Sequence, residues 1–170
     1  MKTPDSIHVI RFMHCDPFNH LSNTRYLDYF IQAREDHVKQ YYGFDIYDHA
    51  AQTGESWVVM QNQIAYFSPA KPMEKVLIQS SILEWNSSDI LVEMQMWNEA
   101  CSKVKALLWT RYVHFDLRRQ KRITHSDHLN SLFGPLENPL PRKMTFDERV
   151  ASFKMQKSVK FREIDGVLTG

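Results

Sequence analysis

One amphipathic helical stretch followed by four strand-length runs, with only turn residues between them, constrains this chain more than any other feature. Tyr26, Leu27, Phe30, Ile31, Val38 and Tyr41 recur at helical spacing over residues 24–42, and Gly43 supplies a C-terminal stop. The strand runs are Trp57 to Ser68, Lys75 to Trp85, Ile90 to Trp97 and Lys103 to Leu117. Pro69 to Pro72, Asn86-Ser87-Ser88-Asp89 and Asn98-Glu99 separate them. In the third run Ile90, Val92, Met94 and Met96 share one face, with Glu93 and Gln95 on the other. A first strand over about residues 5–13 precedes the helix, and Asp45 to Ser56 reads as a short helix or loop. The expected class is α+β, an antiparallel meander wrapped around one long helix.

The chemistry concentrates between the first strand and the helix, in Cys15-Asp16-Pro17-Phe18-Asn19-His20-Leu21-Ser22-Asn23-Thr24-Arg25-Tyr26. Ser22, Asn23 and Thr24 are all residues that cap a helix N-terminus. Such a terminus holds unsatisfied N–H groups and a partial positive charge. A carboxylate beside it suits reactions at a carbonyl, because one group activates water while the other steadies the developing oxyanion.

The spacing Asp16, His20, Asn23, Tyr26 resembles the D-x-x-x-H-[VL]-x-N-x-x-Y motif of hot-dog-fold acyl thioesterases. Cys15-Asp16-Pro17 looks like the 4-hydroxybenzoyl-CoA thioesterase branch, and His20 with Asn23 is similar to acyl-ACP thioesterases. A second block agrees. Trp57-Val58-Val59 through Ile64-Ala65-Tyr66 to Pro69-Ala70, then Glu74-Lys75-Val76-Leu77-Ile78, looks like the family's second and third strands. The likeness covers roughly residues 5–133. It implies a hot-dog domain over 1–133, an antiparallel sheet wrapped around one long helix, with a C-terminal extension over 134–170.

By the same resemblance the chain hydrolyses an acyl thioester, acyl-CoA or acyl-ACP, with no cofactor and no metal. Asp16 is the expected general base or nucleophile, and His20 orients the Asp16 loop or the thioester. The Asn23 backbone N–H donates to the thioester carbonyl while its side chain caps the helix. Tyr26, Ile31 and Tyr66 are the expected substrate-side residues, Tyr26 chiefly as packing at a dimer seam. Such sites lie between subunits, so a homodimer or a tetramer built from two of them is implied. The chain departs from its relatives on the helix. Where they often carry a Glu it has Ile31-Gln32, which leaves Asp16 as the sole acidic candidate. The competing readings are a non-catalytic acyl-thioester binder and a hot-dog dehydratase, although the His and helix acid of the latter are not visible.

The remaining signals bound these readings. Lys plus Arg number 21 against 20 for Asp plus Glu, so no net field attracts nucleic acid or an anionic membrane. Cys15 and Cys101 form no disulfide framework, and the 8 histidines show no metal-ligand spacing such as His-Glu-x-x-His. No secretory core or membrane-length apolar run is present, which makes a cytoplasmic protein the default. Arg118, Arg119, Lys121 and Arg122 at a strand exit read either as a solvated face or as a contact for coenzyme A phosphates or an acidic carrier. Beyond residue 134, Gly134-Pro135 and Asn138-Pro139-Leu140-Pro141 form a rigid connector between a helix from Ser126 to Phe133 and one starting at Thr145. Thr145 and Glu148 have the spacing of a capping box. Lys160 to Asp165 echoes Arg11 to Asp16 and reads as a short terminal strand or a coincidence, with no active site assigned there.

Overall fold

The computed structural model describes the backbone of residues 1–165 and the side chains of residues 1–155. Strand β1 (Asp5–Val9) leads through a 3-10 turn at Phe12–His14 and the Asp16 loop to a second 3-10 turn, Asn23–Arg25. Helices α1 (Tyr26–Tyr42) and α2 (Ile46–Thr53) follow. Then come β2 (Glu55–Tyr66), β3 (Lys75–Trp85), β4 (Asp89–Asn98), β5 (Val104–Asp116) and the two-residue β6 (Lys121–Arg122). Helices α3 (Asp127–Phe133) and α4 (Phe146–Asp165) complete the described chain. Met1–Pro139 is one compact unit, and a second begins at Leu140.

Helix α1 owes its position to one stripe. Tyr26, Tyr29, Phe30, Ala33, Arg34, His37 and Val38 are buried, the i, i+3, i+4, i+7 pattern of an amphipathic helix. Its apolar members, Tyr26, Tyr29, Phe30, Ala33 and Val38, pack with Val76, Ile78, Ile82, Val92, Met94, Met96, Ala106 and Leu108 from β3, β4 and β5 in one cluster. Phe30, fully buried, contributes roughly 2–3 kcal/mol by leaving water. Gly43, at φ 64°, ends the helix in the left-handed conformation that a side chain disfavours.

All pairings are antiparallel, in the order β1-β3-β4-β5-β2, with β6 beside β5. Only β3, β4 and β5 form the expected meander. β2 crosses to the far edge and pairs with β5, while β1 takes the edge beside β3. This is the hot-dog arrangement, in which the two strands flanking the helices in sequence become the two rims of the sheet that holds α1.

One local expectation changes and two open readings are decided. β1 stops at Val9 instead of continuing to residue 13, because Phe12–His14 coils into a 3-10 turn. The polar stretch after Asp45 is a true helix, since Asp45 Oδ1 accepts the N–H groups of Tyr47 (2.9 Å) and Asp48 (3.1 Å). Lys160 to Asp165 lies in α4 and is not a strand. That helix opens with the capping box: the Thr145 N–H donates to Glu148 Oε2 at 2.7 Å, and the Glu148 N–H donates to Thr145 Oγ1 at 3.2 Å. Among the described residues no helix is long and apolar enough to cross a membrane.

Candidate active site

The Asp16 loop is closed by its own backbone. The Asp16 N–H donates to the His20 carbonyl (2.8 Å) and the Asn19 N–H to the Asp16 carbonyl (2.9 Å), with Asn19 at φ 63° making the bend. Asn tolerates that left-handed conformation better than most residues. Inside the turn, Asp16 Oδ1 accepts the N–H groups of Phe18 (3.0 Å) and His20 (3.2 Å). These two bonds orient the carboxylate and leave Oδ2 without a hydrogen bond among the described residues.

The segment after β2 forms the opposite wall. The Ala70 carbonyl accepts from the Leu21 N–H (2.8 Å), and the Ala70 N–H donates to the Tyr26 hydroxyl (3.2 Å). The backbone of one residue, Ala70, therefore joins the loop and the helix start. A half-buried ion pair holds that segment from behind. Lys105 Nζ lies 2.6 Å from Glu74 Oε1 and donates to the Pro69 carbonyl at 2.9 Å. Tyr66 stands edge-on to Tyr26, ring centroids 5.0 Å apart, and its hydroxyl donates to the Asn23 carbonyl at 3.1 Å. Burial pushes both phenols above their ordinary pKa, so they serve as neutral walls and hydrogen-bonding groups, not as bases.

Asp16, His20, Asn23, Tyr26 and Tyr66 line one pocket of about 260 Å³. Ser68, which sequence reasoning missed, lines it too, but its hydroxyl is committed to the Val104 carbonyl at 2.7 Å. The predicted side-chain cap is absent. Asn23 lies inside the 3-10 turn, and neither Ser22 nor Arg25 caps the helix start through its side chain. The opening N–H groups of that turn precede any acceptor within it and are not consumed by a side-chain cap.

Ile31 is elsewhere. It lines a second, apolar cavity of about 210 Å³ with Val38, Trp57, Val92, Tyr112 and Phe133. A carboxylate faces the same cavity: Glu35, one turn beyond Ile31, accepts a 2.7 Å hydrogen bond from the Tyr47 hydroxyl. Asp16 is thus not the only acid at a cavity. Glu35 stands one helical turn from Ile31, a spacing that marks it in the sequence as sharing that face. Nine residues separate Tyr26 from Glu35, about 13 Å along the helix.

The basic run is not part of either cavity. Tyr66 pairs with Ala106, whereas Glu55 pairs with Asp116 at the other end of the ladder, about 36 Å away. Arg118 to Arg122 lie beyond that far end. Arg122 is ion-paired with Asp89 at 2.6 Å and Arg119 lies 3.7 Å from Asp116, while Arg118 packs its guanidinium over Gly54. Within one chain these cations support local structure, about 36 Å of strand away from the Asp16 pocket of the same chain.

Sheet, helix and pocket define a hot-dog protein with an acid on the helix-entry loop. The chain belongs to the thioesterase-like superfamily, whose sequence profile matches residues 10–154. No curated protein matches it in sequence. Among solved structures it is similar to YbaW, a probable thioesterase from Escherichia coli: 22% identity, TM-score 0.68, covering 79% of this chain and 98% of that one. It is also similar to Slr0204, a 1,4-dihydroxy-2-naphthoyl-CoA thioesterase from Synechocystis (13% identity, TM-score 0.71, 81% and 99% covered). A third is the 12:0-ACP thioesterase from Umbellularia californica (14% identity, TM-score 0.73, 86% of this chain and 54% of that one). At these identities the likeness concerns the fold.

Proposed function

We propose that the protein hydrolyses an acyl thioester carried by coenzyme A or by an acyl carrier protein, with Asp16 as the group that activates water. The observation that carries this reading is the fixed Asp16 carboxylate, one oxygen held by two loop N–H groups, in a pocket shared with the uncapped helix entry. Water attacks the thioester carbonyl carbon as Asp16 takes its proton, and the oxyanion is met by the N–H groups around Asn23. Collapse of the tetrahedral adduct breaks the C–S bond, and the leaving thiolate takes the proton back from Asp16. Direct attack by Asp16, through an acyl-enzyme anhydride that water then cleaves, uses the same placement. His20 orients the loop, and Tyr26 and Tyr66 wall the thioester. The cavity bordered by Ile31 offers an apolar volume for an acyl or aromatic group.

The working unit in this reading is a homodimer joined through β2. That strand is an unpaired sheet edge, exposed over residues 58–63, with an irregularity between Val59 and Gln61.

The test is thiol release from a panel of short, long and aromatic acyl-CoAs and acyl carrier proteins, run beside an assay for hydration of the enoyl thioesters. Stoichiometric free thiol and acid support a hydrolase. Hydration without thiol release supports the dehydratase reading, and tight binding without either supports a non-catalytic acyl-thioester binder.

A further inference from the structure

At the opposite end of the β2–β5 ladder from the Asp16 pocket, three side chains from three elements converge. Glu55 opens β2, His114 stands near the end of β5 and His49 lies on α2. Strand alternation puts Glu55 on the same face as Trp57, and Trp57 is paired across the ladder with His114. One imidazole nitrogen from each histidine and one carboxylate oxygen of Glu55 lie within 4.8 Å of one another. Trp57 stacks on both rings, more closely on His114 (4.9 Å) than on His49 (5.6 Å).

The hydrogen bonding of this cluster is incomplete in a particular way. His114 Nδ1 is 3.2 Å from the Thr124 carbonyl, an acceptor only, so Nδ1 carries the proton. Nε2 of the fully buried His114 therefore presents a lone pair, and it faces Glu55 Oε2 at 3.5 Å. Two acceptors oppose each other across that gap. Nε2 of His49 is likewise buried, and neither Nε2 has a hydrogen-bond partner among the described residues. An orphaned buried lone pair costs about 1–3 kcal/mol, and a positive ion between the three groups removes that cost. Burial, the largest influence on both imidazoles, holds them below their ordinary pKa and so in the neutral form that ligates metals.

We propose that His49, Glu55 and His114 form a three-ligand site for a divalent transition-metal ion, with zinc the best fit. Two imidazoles and one carboxylate are a ligand set suited to zinc and too rich in nitrogen for magnesium or calcium. Zinc–ligand bonds of about 2.0–2.1 Å in a tetrahedron place ligand atoms about 3.4 Å apart. The His114–Glu55 separation of 3.5 Å already has that value, and small side-chain rotations bring in His49. The Thr124 carbonyl supplies the outer hydrogen bond that orients a metal-bound histidine. Glu55, whose side chain is 34% exposed, opens the entry path, and a fourth position is left for water. Within one chain some 36 Å of strand separates the site from Tyr66, so the ion fastens α2 to the β2–β5 end.

The experiment uses untagged full-length protein, stripped with a chelator and dialysed against zinc chloride, with bound metal read by mass spectrometry and Tm measured alongside. One zinc per chain, a raised Tm and the visible absorption of tetrahedral cobalt on substitution with cobalt(II) are expected. His49→Ala and Glu55→Gln are each expected to weaken uptake at least ~100-fold, since each removes one of three protein ligands. Should His114→Gln fail to fold, these two variants still decide, because His49 and Glu55 are only partly buried. Absence of stoichiometric uptake by the wild type overturns the proposal, as does uptake that survives the His49→Ala/Glu55→Gln double change.

Discussion

At the scale of single residues, His37 is a buried imidazole held well below its ordinary pKa. It is fully buried on the inner face of α1, hydrogen-bonded to Ser80 Oγ at 2.8 Å and to Ser6 Oγ at 2.9 Å, and Ser6 continues to His8 at 2.7 Å. Arg34 donates to Ser80 at 3.3 Å, which gives the chain a direction ending on His8 Nε2. Burial, then the Arg34 and His8 charges, lower the His37 pKa from 6.5 to about 4. As pH falls through this window the unfolded chain takes up a proton that the folded chain refuses. The stabilisation is therefore complete above 6.5 and is lost progressively toward 4, by up to about 3 kcal/mol. Urea midpoints at about pH 7.5 and about pH 4.5 should fall more for wild type than for His37→Gln, and equal falls would contradict this. Asp16, His20, Asn23 and Tyr26 were legible in the sequence because one loop and one helix turn carry all of them. His49, Glu55 and His114 were not, because only the β2–β5 register brings them together.

At the scale of elements, helical and strand periodicity was easy to read and the ends were not. The α1 stripe and the four long strands follow from apolar spacing, while the 3-10 turn before α1 and the helix after Asp45 depend on cap geometry. Two glycines test that geometry. Gly43→Ala meets open space at φ 64°, so it should cost only the backbone strain, about 1 kcal/mol. Gly54→Ala adds at φ 76° a Cβ only 2.7 Å from Arg118 Nε, so its urea midpoint should drop further. Removing the guanidinium with Arg118→Ala should recover the excess, and additive losses in that double-mutant cycle would show that Arg118 does not rest on Gly54.

At the scale of the whole molecule, the strand order β1-β3-β4-β5-β2 was the least legible feature. Nothing local in β2 says that it skips β3 to pair with β5; that choice follows from closing the sheet around α1. It also leaves β2 as a rim strand with Val59 and Met60 exposed, which is why the dimer is assigned there. Near a two-fold axis a new charge lies close to its own copy, so Met60→Asp should weaken association roughly tenfold. Sedimentation velocity over a dilution series reads this directly, and an unchanged dimer would move the interface away from β2. In the proposed reading hydrolysis belongs to the loop acid and not to the acid on α1. The most direct measurement is kcat/KM for thiol release by wild type, Asp16→Asn and Glu35→Gln, each verified as folded. A loss of at least ~100-fold is expected for Asp16→Asn and a far smaller change for Glu35→Gln. Near-normal turnover by Asp16→Asn with a collapse in Glu35→Gln would contradict it.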